Sequence, residues 1–263
     1  MEDTNAIDPF HLEAYGRTAV NYNRDIESFP VLQEMMRRIM GRCPYKSPTD
    51  MGVNMVGKAI FDEEAVSEAA CKEIIRRYYN LSVQDMRKGN AKEQVAAVKL
   101  LMKQVGVDPI SQPLRQAAIS REQETGYPAG AIQLPNGEII TGKTTDLLGC
   151  ASSLLLNALK KLADIEDVEV ISDQSIQPIS KLKTKVFRSK NPRLHSDETL
   201  LALSSSSSSN IRAAKMIDAV GKLKGCDSFF SVIVSNTDEQ LYKSLGINVC
   251  CEPKFERTKM YHG

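Results

Sequence analysis

Eleven residues, PYKSPTDMGVN from Pro44 to Asn54, crowd Lys, Ser, Thr, Asp and Asn between two strongly helical stretches. Lys46 suits neutralisation of a phosphate or carboxylate as a point charge, Ser47 and Thr49 offer hydroxyl hydrogen bonds, and Gly52 lets backbone come close to a ligand. Asp50 and Asn54 are placed to orient a substrate or a water. On this reading Lys46 and Asp50 are the catalytic candidates, with Ser47, Thr49 and Asn54 binding a small phosphorylated or carboxylate ligand. The same residues also spell ordinary turn chemistry, with Thr49 or Asp50 capping a short helix through Val56. A second cluster, Asn21 to Asp25, supplies Arg24 as a bidentate anion clamp if the two segments meet. There the structural alternative is Asn23 or Asp25 capping the following helix.

Little else in the chain has the spacing that chemistry requires. His11, His195 and His262 are too separated to suggest a metal site, and they define no nucleophile–base pair. Six cysteines without a CxxC pair fit reduced, mainly buried thiols better than structural zinc or a disulfide scaffold. In the apolar stretch around Cys250 and Cys251, alternation sends one thiol inward and the other outward. Lys143, after a strand, is a second-site candidate, with a solvated strand-end Lys as the favoured reading. The serine run Ser204 to Ser209 reads as a flexible hydroxyl-rich loop whose last members cap a helix starting near Ile211. No metal is expected, and no cofactor is named by these residues.

The elements that must position these groups change character near residue 110. Residues 1–110 have helical periodicity: a short helix after Asp8-Pro9, a longer segment that Pro30 divides in two, a stripe from Asp62 to Tyr79, and another from Asn90 to Val105. Residues 111–263 alternate. A helix through Glu124 precedes the strand AGAIQL, the turn Pro135-Asn136-Gly137 and the strand EIITG, with Asn-Gly as a hairpin signal. A largely apolar helix from Leu147 to Leu162 follows, then a strand at Val168 to Ile171, helices, a strand at Phe229 to Val234, a helix and a strand at Ile247 to Cys250. The order αββαβαβαβ predicts a three-layer α/β domain with parallel later strands.

That order is similar to the cytidine-deaminase-like fold, and the chemistry of that fold can be weighed against the residues. Such enzymes hold zinc with a His-Ala-Glu or Cys-Ala-Glu and a Pro-Cys-x-x-Cys; here the first site reads Cys150-Ala151-Ser152 and the second SDQSIQP. One thiol cannot replace about three protein ligands, and the proton-shuttling Glu is Ser. The topology is expected, without its zinc chemistry.

Composition bounds the rest. The chain is 42% hydrophobic and 25% charged, with 34 basic and 33 acidic residues scattered along the helices, so no broad positive field draws in nucleic acid. No apolar run reaches membrane-spanning length, and MEDTNAIDPFHLEAYG lacks the basic start and apolar core of a signal peptide, which points to the cytoplasm.

Four stretches, HLEAYGRTAVNYNRDIESFPVL, PYKSPTDMGVNMVGKAIFDEEAVSEAACKEIIRRYY, ITGKTTDLLGCASSLLLNALKKLADI and ETLLALSSSSSSN, resemble the mainly bacterial family catalogued as domain of unknown function 1846. The resemblance covers nearly the whole chain and loosens after Glu166. It implies the C-terminal half of a longer protein whose other half has a glycine-rich, phosphate-loop-like segment, and hence nucleotide or phosphate-ester handling. A His common in the family before the long helix stands here as Gly149. The resemblance favours the functional reading of the Pro44 to Asn54 loop. The expectation is therefore one half of a cytosolic phosphate- or nucleotide-using enzyme. The alternative is a non-catalytic structural module in which apolar helices build a homo-oligomer.

Overall fold

The computed structural model describes residues 5–53, 62–171 and 173–256. They divide into two compact units: Met1–Leu81 with Ala91–Pro109, and Ser82–Asn90 with Ile110–Gly263.

In the first unit, β1 (Asn5–Ile7), α1 (Pro9–Tyr15) and β2 (Val20–Tyr22) form an antiparallel pair of strands around a short helix. Asp8 starts α1 by accepting a hydrogen bond from the His11 backbone N–H, and Gly16 ends it in the left-handed conformation, φ +68°. Next come α2 (Asn23–Met40), α3 (Pro48–Val53), α4 (Glu63–Lys88), whose residues from Ser82 on count with the second unit, and α5 (Lys92–Val105). The break expected at Pro30 does not occur; α2 runs through it. Phe29 is fully buried with its ring 5.3 Å from that of Phe10, while Pro30 faces solvent, where water can satisfy the carbonyl a proline leaves unpaired. The outer face of α2 leaves Val31, Met35 and Ile39 exposed at spacings of four. α4 extends beyond the expected Tyr79 because no Gly or Pro interrupts it before Gly89, which has φ +68°. Its buried side carries Ala70, Ile74 and Tyr79, whose hydroxyl donates to the Pro109 carbonyl at 3.0 Å.

The second unit opens with α6 (Pro113–Thr125), β3 (Ala129–Gln133), β4 (Ile139–Lys143) and α7 (Cys150–Leu162). Then follow α8 (Asp173–Lys181) with a π-turn over Leu182–Val186, α9 (Ser196–Ser207), α10 (Ile211–Asp218), a 3-10 turn over Val220–Leu223, β5 (Asp227–Phe230), α11 (Asn236–Ser244) and β6 (Asn248–Cys251). The sheet order is β4-β3-β5-β6, with β3 antiparallel to both neighbours and β5 parallel to β6. Gly130 and Gly142 face each other across the hairpin, and both turn toward α7. A Cβ on Gly142 would sit 2.3 Å from the Leu154 backbone nitrogen, so glycine lets the helix lie directly on the strand. Ala129 and Ala131, on the opposite face by alternation, are fully buried, and α6 packs against that hairpin through its buried Ala118. Leu154, Leu155 and Leu159 of α7 are completely buried with Ile132, Phe230, Leu203 and Met216 in the core.

Two local expectations are corrected. Residues 168–171 form no strand, so the sheet has four strands and the order αββαβαβαβ is not realised. Val170 and Ile171 are buried there as core filling, and the Val170 carbonyl accepts from Asn210 Nδ2 at 3.3 Å; the apolar run served packing and not pairing. The serine run is not a loop. Ser204 to Ser207 complete α9, where the Ser206 hydroxyl donates to the Ala202 carbonyl at 2.8 Å and the Ser207 hydroxyl to the Ser204 carbonyl at 2.7 Å. Asn210, and no serine, caps α10 by accepting from Arg212 N at 2.9 Å. Cys251 is buried and Cys250 half-buried, the alternation expected of a strand. Among the described residues no helix is long and apolar enough to cross a membrane.

Candidate functional site

The loop ahead of α3 is a closed set of hydrogen bonds. Ser47 caps α3, its Oγ accepting from Asp50 N at 3.3 Å, a role expected of Thr49 or Asp50. Asp50 Oδ2 accepts from Lys46 N at 2.9 Å, Ser47 N at 3.1 Å and the Tyr15 hydroxyl at 2.9 Å. Asp8 caps α1 with one oxygen and holds the loop with the other, accepting from Thr49 N at 2.9 Å and Thr49 Oγ1 at 2.6 Å. His11 Nδ1 lies 3.0 Å from Ser47 Oγ and 3.9 Å from Asp50 Oδ1. A Ser–His–acid relay needs the serine and the carboxylate on different ring nitrogens. Here one nitrogen faces both.

Burial sharpens this: Asp8 and Ser47 are 0% exposed, His11 and Thr49 1%, Asp50 2%. The structure thus brings Ser47, Thr49 and Asp50 together with their polar groups turned inward onto α1. Lys46 is exposed, its Nζ 5.2 Å from the centre of the Tyr15 ring. Burial, and then the neighbouring Asp50 carboxylate, push the Tyr15 hydroxyl up to about 12. Arg24 is exposed on the first turn of α2, and Asn54 lies outside the described residues.

A second cluster, absent from the sequence expectations, forms in the α/β unit. His195 is the N-cap of α9, and Asp238 lies in the first turn of α11 behind its N-cap Ser235. His195 Nδ1 is 3.0 Å from Asp238 Oδ2, which also accepts from Ser235 Oγ at 2.6 Å. Asp238 Oδ1 accepts from Ser196 N at 2.8 Å and Ser196 Oγ at 2.5 Å. From the other side, Glu198 accepts from His195 N at 2.8 Å and from Lys183 Nζ at 2.7 Å. α7 reaches the same place: Leu148 bridges to Leu194, and Ser152 Oγ donates to the Leu194 carbonyl at 2.8 Å. The N-terminal ends of α7, α9 and α11, each an electropositive terminus, therefore meet around one imidazole–carboxylate pair.

The pair is electrostatically biased. The hydrogen bond to Asp238 raises the His195 pKa above its ordinary value, against a smaller opposing effect of burial. Burial alone would raise Asp238, yet the bonds from His195, Ser196 and Ser235 outweigh it and hold the carboxyl below the usual range. Cys150, at the start of α7, is the reverse case: burial, then the Asp238 charge, push its thiol up to about 12, so it is protonated and a poor nucleophile. Nε2 of His195 has no hydrogen-bond partner among the described residues, and the side chain is 26% exposed. An imidazole fixed at one nitrogen and open at the other has the form of a general acid or base. Among the described residues no group of three or more His, Cys, Asp or Glu is arranged to hold a metal ion.

Sequence reasoning missed this pair because His195 and Asp238 are 43 residues apart. The local signals were two helix starts, His195-Ser-Asp-Glu198 and Ser235-Asn-Thr-Asp238, each with the spacing of a capping box.

The comparisons with known proteins agree along the whole chain. Residues 1–106 match the model "Domain of unknown function DUF1846, N-terminal", and residues 111–261 match "Domain of unknown function DUF1846, C-terminal". The chain belongs to the DUF1846 family. It carries both family domains, which replaces the expectation of a C-terminal half alone. A UPF0371 protein of Corynebacterium diphtheriae is 46% identical over 262 residues, covering 99% of this chain and 53% of the relative. A UPF0371 protein of Streptococcus pneumoniae serotype 4 has the same identity and coverage. The chain thus spans about half the length of these DUF1846 relatives.

Proposed function

We propose that the α/β unit carries an acid–base centre at His195, oriented by Asp238, acting on a phosphate- or carboxylate-bearing substrate. The observation that carries this reading is the asymmetry of the imidazole: Nδ1 is fixed by a buried carboxylate while Nε2 is open. Three helix N-termini and a histidine biased toward its cation favour an anion at Nε2. The imidazolium would donate its Nε2 proton to a leaving oxygen, and the neutral ring would accept one from an attacking water. In this proposal the enzyme uses a phosphate ester or nucleotide, and the further length of the DUF1846 relatives provides the phosphate loop. Lys46 and Arg24 of the helical unit are exposed cations suited to the same class of ligand. The Asp50, Ser47 and Thr49 groups hold the loop that presents Lys46. The likeness to the deaminase fold also belongs to this proposal, supported by a hairpin followed by a parallel pair and lacking one strand.

The test is NMR of the imidazole resonances during titration with inorganic phosphate, adenosine monophosphate, glucose 6-phosphate and citrate. At least one anion should shift the His195 signals in a saturable way, and His195→Gln should abolish its binding. A His195 ring indifferent to all four would overturn the reading.

A second reading, an assembly module in a cytoplasmic homo-oligomer, is favoured by the exposed stripe Val31, Met35 and Ile39 on α2. Mass measurement of the wild type and a Val31→Ser/Met35→Ser/Ile39→Ser variant decides it. A monomeric wild type ends that reading.

A further inference from the structure

Between Asp173 and Asp197 the chain has no acidic residue and six Lys or Arg, all of them from Lys181 to Arg193. Two of the six are neutralised. Lys183, buried, donates to Glu198 at 2.7 Å and to the Arg193 carbonyl at 2.8 Å, and Arg193 pairs with Glu256 at 3.0 Å. The other four, Lys181, Lys185, Arg188 and Lys190, are exposed, and their side chains make no hydrogen bond or ion pair with any described residue. Among them stand Leu182, Val186 and Phe187, 47%, 63% and 72% exposed. The π-turn after α8 groups these three: the Phe187 N–H donates to the Leu182 carbonyl at 3.1 Å, so Leu182 lies one turn below Val186 and Phe187. The Ser189 N–H donates to the Lys183 carbonyl at 3.0 Å and Arg188 takes a left-handed φ of +56°, which turns the chain back just after Phe187. Lys183 pins the base of this turn inside the fold, so the apolar tip is held outward. Four successive residues, Lys185 to Arg188, are exposed, which makes the feature a ridge and not a groove.

We propose that this ridge docks the protein on the surface of an anionic phospholipid bilayer. Leu182, Val186 and Phe187 enter the interface between headgroups and acyl chains, while the four unpaired cations lie against the phosphates. Charge complementarity calls for an anionic partner, and the apolar tip decides which kind. A nucleic acid would satisfy the cations and leave Leu182 and Val186 in water, and single strands are tracked by a groove, whereas a bilayer interface yields around a small ridge and takes both kinds of side chain. Surface docking needs no membrane-crossing helix. The proposal does not rest on the acid–base reading, since none of the seven side chains belongs to the His195–Asp238 pair.

Cosedimentation of the whole chain with vesicles tests it. Vesicles of phosphatidylcholine mixed with phosphatidylglycerol should carry the protein down, vesicles of phosphatidylcholine alone should carry much less, and added salt should release it. Arg188→Gln/Lys190→Gln should weaken the binding about twentyfold, at about fivefold for each cation. Phe187→Ser should weaken it about tenfold. Neither change should lower the melting temperature, because these side chains are exposed and make no contact that folding needs. Arg37→Gln/Arg38→Gln, which removes the same charge from exposed positions on α2, should bind vesicles as the wild type does. Failure to sediment with phosphatidylglycerol, equal binding to phosphatidylcholine alone, or an equal loss in the α2 variant would each overturn the proposal. So would binding of oligouridylate in place of vesicles, which would give the ridge to nucleic acid, or a lipid-free dimer that Phe187→Ser dissociates, which would give it to a second copy. His195→Gln should leave vesicle binding unchanged, so failure here is separable from failure of the acid–base reading.

Discussion

His195 and Asp238 sit 3.0 Å apart across the starts of two helices, and the carboxylate that orients the imidazole also caps α9 through Ser196. One side chain thus serves both the fold and the candidate chemistry. The two roles separate by pH. The raised His195 pKa gives stability that is fully present below the unfolded value and lost as pH rises through the folded one. The lowered Asp238 pKa gives stability that is present above its unfolded value and lost as pH falls through the folded one. The pair therefore stabilises most between about pH 3.9 and about pH 6.5. Asp238→Asn should cost about 2–4 kcal/mol in that window and less above it, where only the capping loss remains. Denaturant unfolding at pH 5.5 and pH 9 measures this; an equal cost at both would show that the ionic link contributes nothing.

The loop ahead of α3 makes a contrast between neighbouring positions. Thr49→Val leaves Asp8 Oδ2 without its 2.6 Å donor in a fully buried site and should cost about 1.5–3 kcal/mol. Lys46→Ala removes only an exposed amine over the Tyr15 ring and should cost no more than about 1 kcal/mol. Thermal melts of the two variants give the comparison, and a Lys46→Ala loss as large as that of Thr49→Val would mean that Lys46 helps to close the loop.

Thiol chemistry reads out burial directly. Burial raises Cys150 and Cys251 to about 12, whereas Cys43, Cys71 and Cys250 are only half-buried. Iodoacetamide at pH 8 should label some of the half-buried group in the native protein, and Cys150 and Cys251 only after denaturation. Mass spectrometry of tryptic peptides resolves the sites. Rapid native labelling of Cys150 would mean that the start of α7 opens to solvent.

Gly142→Ala should cost about 3 kcal/mol or more, the upper end for overpacking, because the new methyl meets helix backbone that cannot rotate away. Gly137→Ala places a methyl in open space and pays only for its left-handed φ of +84°, so it should be the milder change. Urea midpoints compare them directly.

How much of this was written in the sequence varies by element. The hairpin was legible because Asn136-Gly137 states its turn locally, and α7 was legible because its apolar positions run almost all round. Residues 168–171 misled, since an apolar run says that a segment is buried and not which edge it pairs with. Pro30 misled for a related reason: its effect depends on whether the freed carbonyl faces water, which the packing of Phe29 decides. In the loop, Ser47, Thr49 and Asp50 stood out by composition, yet their engagement came from Asp8, His11 and Tyr15 on α1. His195 and Asp238 announced themselves only as helix starts, because the contact between them exists after the sheet has brought α9 and α11 together.

The glycine at 142 has no functional group, yet α7 rests its backbone on that point. The same helix carries Ser152 against the residue before His195. A methyl there would tilt that neighbourhood. In any screen that scores variants by lost function, position 142 should rank beside His195 and Asp238, and a protein-abundance readout run in parallel is what would tell the two kinds of loss apart.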